Sequence, residues 1–270
     1  MSELRGLIFI GAGAMAEAIV RGVVDAGLVT ASQVTMTDVR PQRLEQLAAF
    51  GFRGERANRD ALPHGDVIVL AVKPQDVGAV LADIGPHVTD DQLVVSIAAG
   101  VTIATLEAGL GRPVPVIRVM PNTPCLVGEG MAAVARGTHA TADHEATVLR
   151  LFGAIGKAVA LPEKQLDAVT ALSGSGPGYV AVLIEAMIDG GVRVGLPRDV
   201  ATTLAVQTTL GTAKMLSGTG EHPARLKDMV TSPGGTTIAG IHAMERAGVR
   251  AAMIDAIVEA TERSRQLGAS

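Results

Sequence analysis

Aromatic residues are nearly absent from this chain. Of 270 residues none is Trp, one is Tyr and four are Phe. A hydrophobic core must therefore be assembled from Ala, Val, Leu, Ile and Met, and there is no aromatic platform on which nucleic-acid bases could stack. Basic runs are missing too. The net charge is −4 with both signs mixed along the chain, so nothing tracks a phosphate backbone, and nucleic acid is excluded as a partner. The one cysteine, Cys125, rules out an intrachain disulfide and a cysteine-rich metal centre. It reads as a small buried apolar residue in a reducing compartment. The six histidines show neither H-x-x-x-H nor H-E-x-x-H spacing, so no metal site is expected. No uninterrupted apolar run approaches the ~18 residues that cross a bilayer. Arg5, Leu7–Ile10 and Ala14-Met15-Ala16 imitate a signal peptide, but the bulky run is far shorter than the ~7–15 residues such a segment needs. A cytoplasmic protein without a membrane partner is expected.

What the chain does have is small and apolar. Its apolar share is 48%, and its 32 glycines are dispersed rather than clustered, which points to turns and close packing, not low complexity. The length suits two domains.

Leu7–Ile10 reads as a strand buried on both faces. Gly11-Ala12-Gly13-Ala14-Met15-Ala16 follows, and then a helical pattern through Ile19, Val20, Val23 and Val24. Strand, glycine-rich turn and helix together form the setting of a dinucleotide-binding fingerprint. Gly11 makes the tight turn, Gly13 lets a pyrophosphate approach the backbone, and Ala16 takes the packing position of the third glycine. The next strand, Val34–Thr37, ends at Asp38, about twenty residues on, where an acid binds the adenosine ribose in such folds. Arg40 and Arg43 follow. The acid favours NAD and the arginines favour NADP, so the choice stays open. Asp38 reads equally well as the cap of a helix starting near Pro41.

Val67–Val72 is the clearest buried strand. It runs into Lys73-Pro74-Gln75, with Lys73 facing either a cofactor or solvent. Leu93–Ala98 and Val114–Met120 are further strands, the second followed by Pro121-Asn122-Thr123-Pro124, a rigid turn that presents a polar amide. Met131–Val134, Leu149–Ile155 and Ala158–Leu161 complete a β/α alternation, which predicts a parallel sheet with helices on both faces. The texture changes near Pro162. Long helical patterns then dominate, over Tyr179–Val194, Arg198–Leu216 and Arg250–Leu267. The expected architecture is an α/β chain: a Rossmann-like dinucleotide-binding domain over 1–162, then an all-α domain over 163–270. The helices of the second half are apolar on more than one face, so a second subunit is expected to cover them.

In that second half lies Met229–Ile241, M-V-T-S-P-G-G-T-T-I-A-G-I. It reads as a loop entering a helix, with Thr231 or Ser232 as cap and Pro233 in the first turn. Gly234 and Gly235 remove the Cβ atoms that would obstruct a ligand. Free amides near Gly235, Thr236 and Thr237 would suit a small anion such as a carboxylate.

Six stretches together carry a resemblance along essentially the whole chain: Gly11–Ala16, Ala71–Gln75, Ser96–Gly100, Arg118–Pro124, Ser173–Tyr179 and Met229–Ile241. In these the chain resembles the pyrroline-5-carboxylate reductases. Two positions depart from that family's pattern: Gly178 stands where alanine is usual, and Asp38 where a residue friendlier to a 2′-phosphate is common. The resemblance implies reduction of the cyclic imine 1-pyrroline-5-carboxylate to proline, the last step of proline biosynthesis. It implies a nicotinamide cofactor, NADP by family default with NAD possible. That cofactor would lie on Gly11, Ala12, Gly13, Ala14, Met15, Asp38, Arg40, Asn58, Ala71, Val72, Lys73, Pro74, Ala98, Met120 and Asn122. Ser232, Gly234, Gly235 and Thr236 would bind the substrate, with Thr237 as the catalytic residue at the ring nitrogen. A helical homodimer, often a pentamer of dimers, is implied as well. A protonated imine accepts hydride readily, which agrees with site motifs that contain no His, Asp or Glu near Thr237.

Other readings compete with this one. A 3-hydroxyacid dehydrogenase shares the fold plan but needs a lysine base, and none stands in 173–188. A nucleotide-binding redox sensor would keep the Gly11–Ala16 turn without needing the Ser232–Thr237 loop. A reductase of a related cyclic imine would keep both.

Overall fold

The computed structural model describes residues 4–269. Its contacts divide the chain into two compact units, one formed by residues up to Ser175 together with those from Ala260 onward, the other by Gly176–Glu259.

The first unit is built on eight strands: β1 (Leu7–Ile10), β2 (Val34–Thr37), β3 (Arg53–Glu55), β4 (Val67–Leu70), β5 (Leu93–Ser96), β6 (Val116–Met120), β7 (Gly130–Arg136) and β8 (Gly156–Ala160). They form one sheet in the order β3-β2-β1-β4-β5-β6-β7-β8. Between them run α1 (Ala14–Asp25), α2 (Pro41–Ala48), α3 (Asn58–Ala61), α4 (Val77–Ile84), α5 (Ile103–Leu110) and α6 (Ala142–Gly153), and α7 (Leu166–Val169) follows β8. All pairs are parallel except β6 with β7, which run antiparallel. The expectation of a wholly parallel sheet is corrected there. The chain between β6 and β7 holds only a short 3-10 turn, Thr123–Val127, and a parallel return needs a crossover of a dozen or more residues.

Side-chain alternation assigns each face its helices. Leu7, Phe9, Val67 and Val69 join Ile19, Val20 and Val23 of α1, Leu44 and Leu47 of α2, and Val148, Leu151 and Phe152 of α6. Ile8, Ile10, Ile68 and Leu70 join Leu81 and Ile84 of α4 and Leu106 and Leu110 of α5 on the other face. β1 and β4 are buried along their whole length, as strands covered on both faces must be. Because β4 pairs with β1 and not with β3, the strand order reverses beside β1. Ligands of open α/β sheets settle at such a reversal, outside the carboxyl ends of the strands.

The second unit holds α8 (Gly176–Arg193), α9 (Arg198–Thr219), α10 (Pro223–Met229), α11 (Thr236–Arg246) and the first part of α12 (Val249–Ala269). Its packing is sparse within one chain. Val182, Met187, Leu204, Leu210, Ile254 and Val258 are all exposed. In α9, five threonine hydroxyls (Thr202, Thr203, Thr209, Thr212 and Thr219) donate to the carbonyl four residues earlier. They need no outside partner, so this helix can be covered by apolar surface without orphaning a hydroxyl. The helical run Glu163–Arg193 contains an 18-residue window of mean hydropathy 1.3 and is long and apolar enough, by length and composition alone, to cross a bilayer. Counting uninterrupted apolar residues missed it, because its hydropathy is spread among Ala, Gly, Val and Ile with polar residues between.

The unit boundary at Ser175 lies beyond the change of sequence texture at Pro162. α7 and the π-turn Thr170–Gly174 stay with the sheet, where Leu166 packs on Ala133 and Ala135.

Candidate active site

The turn after β1 opens where the strand order reverses. Gly11 has φ +94°, and a Cβ there would lie 2.6 Å from the Ala71 carbonyl oxygen. Only glycine fits between the ends of β1 and β4. Gly13 is the opposite case, with open space where a Cβ would stand. It occupies the cap position of α1, and no side chain caps that helix. The amides of a 12-residue helix thus face an open cradle, which suits a pyrophosphate. Ala16 is fully buried, which explains why a larger residue is absent there. Met15 packs against the core, its sulfur 3.1 Å from the Cys125 sulfur. Burial pushes the Cys125 thiol up from its ordinary pKa.

At the end of β2, Asp38 is not the cap of α2: the cap residue is Arg40, whose own side chain makes no capping bond. Its carboxylate instead accepts from the Ala12 N–H at 3.1 Å and from the Arg40 N–H and Nε, both at 2.9 Å. Burial pushes this carboxyl up, but the bonds from Arg40 and Ala12 outweigh burial and hold it below the ordinary carboxylate value. Arg43 donates to the Ala12 carbonyl at 2.7 Å and also pairs with Glu17 in the first turn of α1. Hydrogen bonding to Arg43 is the main reason that Glu17 lies below its ordinary value, against the opposing effect of burial.

The other residues expected at the cofactor stand after β3 at the start of α3 (Asn58), after β4 (Ala71, Val72, Lys73, Pro74), after β5 (Ala98), at the last position of β6 (Met120) and just beyond it (Asn122). Two have side chains already engaged. Asn58 accepts from the Thr37 hydroxyl at 2.6 Å and donates to Asp83 at 2.9 Å, joining β2 to α4. Asn122 donates to the Ser173 carbonyl and hydroxyl at 3.1 and 3.2 Å and accepts from the Met131 N–H at 2.8 Å. The proline-framed turn therefore directs its amide inward as a strut and does not present it. Arg118 is a second strut, its buried guanidinium 3.0 Å from Glu163, which also accepts from the Ile103 N–H at 2.7 Å. Sequence reasoning gave Arg43, Glu17, Thr37 and Glu163 no such roles. The only signal was a charged or hydroxyl residue next to each motif. A cavity of about 740 Å³ lined by Arg5, Asp66 and Gln92 lies at the amino ends of the strands, away from these residues.

In the second unit the expected cap geometry is corrected. Ser232–Gly235 forms a tight turn closed by the Gly235 N–H on the Ser232 carbonyl at 3.0 Å, with Pro233 at its second position and Gly234 at φ +68°. A positive φ at the third position marks a type II turn and cannot continue a helix. α11 therefore starts at Thr236 with Gly235 as cap, and no side chain caps it. Thr231 turns back and donates to the Lys227 carbonyl at 2.6 Å. The Gly235 amide is spent on the turn, so the amides of Thr236, Thr237 and Ile238 are left at this helix end, ahead of the first intrahelical bond from the Ala239 N–H to the Gly235 carbonyl. Thr237 is half-buried.

The cofactor residues belong to one unit and the Ser232–Thr237 loop to the other, and each carries an uncapped helix start fit for an anion. Comparison with known proteins identifies the family. Residues 163–267 match the family model described as pyrroline-5-carboxylate reductase dimerisation, and residues 7–100 match that of an NADP oxidoreductase, coenzyme F420-dependent. The pyrroline-5-carboxylate reductase of Methanosarcina acetivorans is 47% identical over 96% of this chain and 97% of its own. The chain belongs to the pyrroline-5-carboxylate reductase family. A solved structure of the Coxiella burnetii member superposes with a TM-score of 0.93 at 32% identity, covering 98% of this chain and 99% of that one. The Plasmodium falciparum member with NADP bound superposes with a TM-score of 0.87 at 32% identity, over 99% and 100% of the two chains.

Proposed function

We propose that this chain reduces 1-pyrroline-5-carboxylate to L-proline with NADPH or NADH. The observation that carries this reading is the presence in one chain of both an open glycine-rich cradle at the strand-order reversal and a second uncapped helix start beside Thr237. The Ser232 hydroxyl and the Thr236 and Thr237 amides hold the substrate carboxylate. Thr237 Oγ1 bonds the ring nitrogen, orients the imine, and passes it a proton drawn from water, so that the protonated imine is the species reduced. The Gly11–Ala16 turn would hold a reduced nicotinamide nucleotide, and the chemistry supplied there would be hydride donation to the imine carbon. Substrate and cofactor are held in place by backbone amides and hydroxyls, and no strong acid is required because a protonated imine is already electrophilic.

The bound form of NADP in a relative 32% identical over almost the whole chain supports NADP as cofactor, and NAD fits the same turn. The exposed apolar helices of the second unit, within the part that matches a dimerisation model, support a homodimer. A pentamer of dimers is the larger assembly we propose. The same match supports reading the apolar run Glu163–Arg193 as subunit interface and not as a membrane span, in a cytoplasmic enzyme.

The test is the loss of reduced-nicotinamide absorbance with pyrroline-5-carboxylate, with NADPH and NADH run side by side. Turnover is expected with at least one. Binding of nucleotide without turnover of this substrate would transfer the reading to a related cyclic imine or to a redox sensor.

A further inference from the structure

Ala12 is gripped by both of its peptide groups from one neighbouring segment. Asp38 accepts its N–H at 3.1 Å and Arg43 donates to its carbonyl at 2.7 Å. The grip is well supported behind. Asp38 is 7% exposed at its side chain, and the Arg40 guanidinium lies along it. Arg43 is 19% exposed and carries its remaining charge to Glu17 in α1. Ala12 stands between two glycines, and glycine-flanked backbone is the freest a chain can have. A turn of that kind meets a pyrophosphate in one conformation only if something fixes it beforehand.

The acid at the end of β2 is ordinarily the group that holds the ribose hydroxyls of NAD and repels the 2′-phosphate of NADP. Here that acid is largely committed. One carboxylate oxygen takes the Ala12 amide, both oxygens take the Arg40 fork, and the Arg40 charge balances it. Counting the neighbours, the Asp38 and Glu17 carboxylates face the Arg40, Arg43 and Arg21 guanidiniums, so this corner is not negative. Arg40 keeps 62% of its side chain exposed.

We propose that Asp38 and Arg43 are positioning residues that preset the Gly11–Ala16 turn for either nicotinamide nucleotide, and that Asp38 does not select against the 2′-phosphate. This rests on the reading of the turn as a nucleotide site.

The experiment is equilibrium titration of the full-length protein with NADPH and with NADH, followed by nicotinamide fluorescence, for the wild type, Asp38→Ala, Asp38→Asn and Arg43→Ala. The substitution Asp38→Ala is expected to weaken both nucleotides about tenfold, the scale of one hydrogen bond to a charged group. Asn keeps an acceptor for the Ala12 amide, so Asp38→Asn is expected to recover most of that loss for both. Arg43→Ala is expected to weaken both alike. In steady-state assays the change should fall on the KM of the nucleotide, with kcat at saturation kept within about twofold. Tighter NADPH binding by Asp38→Ala and Asp38→Asn, with weaker NADH binding, would show a selecting acid and overturn the proposal. Equal losses in the Ala and Asn variants would overturn it as well. Wild-type protein that binds neither nucleotide would overturn the cofactor reading itself, and the proposal with it.

Discussion

Gly235 sits against the hydroxyl of Ser232: a Cβ added at Gly235 would lie 2.3 Å from Ser232 Oγ and 3.2 Å from the Ser232 carbonyl oxygen. The tight turn thus stores Ser232 in one place, beside the start of α11. In Gly235→Ala the hydroxyl has to leave, while the turn itself needs to give only a little. The expected result is a rise of about tenfold in the KM for pyrroline-5-carboxylate, equivalent to ~1.4 kcal/mol, with the melting temperature nearly unchanged. In a Ser232→Ala background the clash no longer exists, so adding Gly235→Ala should cost almost nothing more. Additive losses in that double-mutant cycle would show that the two residues act separately.

Thr237 is half-buried in the first turn of α11. Thr237→Ala is expected to lower kcat about 10²-fold, the scale of one lost polar stabiliser of the transition state. Thr237→Ser keeps the hydroxyl and should stay within a few-fold of wild type. Saturating steady-state rates decide it, and an unchanged rate in the alanine variant removes Thr237 from the chemistry.

Glu163 serves two partners with one oxygen, the buried Arg118 guanidinium and the Ile103 amide. Glu163→Ala would leave Arg118 buried without its counter-charge. Loss of one partner from a wholly buried pair costs ~3–5 kcal/mol. Glu163 is 31% exposed, so about 2–3 kcal/mol is expected here. Urea unfolding of the two proteins at equal concentration measures this, and a difference near zero would mean that water replaces the carboxylate.

Asp38 is held below its ordinary pKa in the folded chain by Arg40 and Ala12. A depressed acid contributes stability that is fully present above its unfolded value, near 3.9, and is lost as pH falls through the lower folded value. The stability difference between wild type and Asp38→Asn should therefore be flat from about pH 5 to 8 and shrink below about pH 4. Urea midpoints along that range test the sign, and a difference that widens toward acid would contradict it.

Some of this molecule was plain in the chain. Leu7–Ile10 and Val34–Thr37 form strands over the residues their patterns predicted, and the Gly11–Ala16 turn stands where a strand followed by a helix pattern put it. Local apolar period carries that information. β3 escaped because Arg53-Gly54-Glu55 is a short, mostly exposed edge strand with no apolar run to announce it. The reversal of β7 escaped because strand direction is a property of the connection, and Gly130–Arg136 reads like its parallel neighbours. At the sites, residue types were legible but partners were not. Asn122 in a proline-framed turn suggested an amide offered to a ligand, yet its partners Ser173 and Met131 come from other parts of the chain. Ser232 looked like a helix cap because Gly234 permits a helix as readily as it permits the positive φ that excludes one.

The antiparallel meeting of β6 and β7 also bears on the order in which the chain folds. Each parallel pair has to wait for a crossover helix or a distant strand, whereas Met120 and Ala133 are partners across a short loop. Closing that loop takes little entropy, so the β6–β7 hairpin is the natural first contact of the sheet, and β1, which begins the sequence, is completed only when β4 arrives beside it. Conservative truncations at Val119 and Val134 should then slow refolding, while those at Phe9 and Val69 should chiefly speed unfolding.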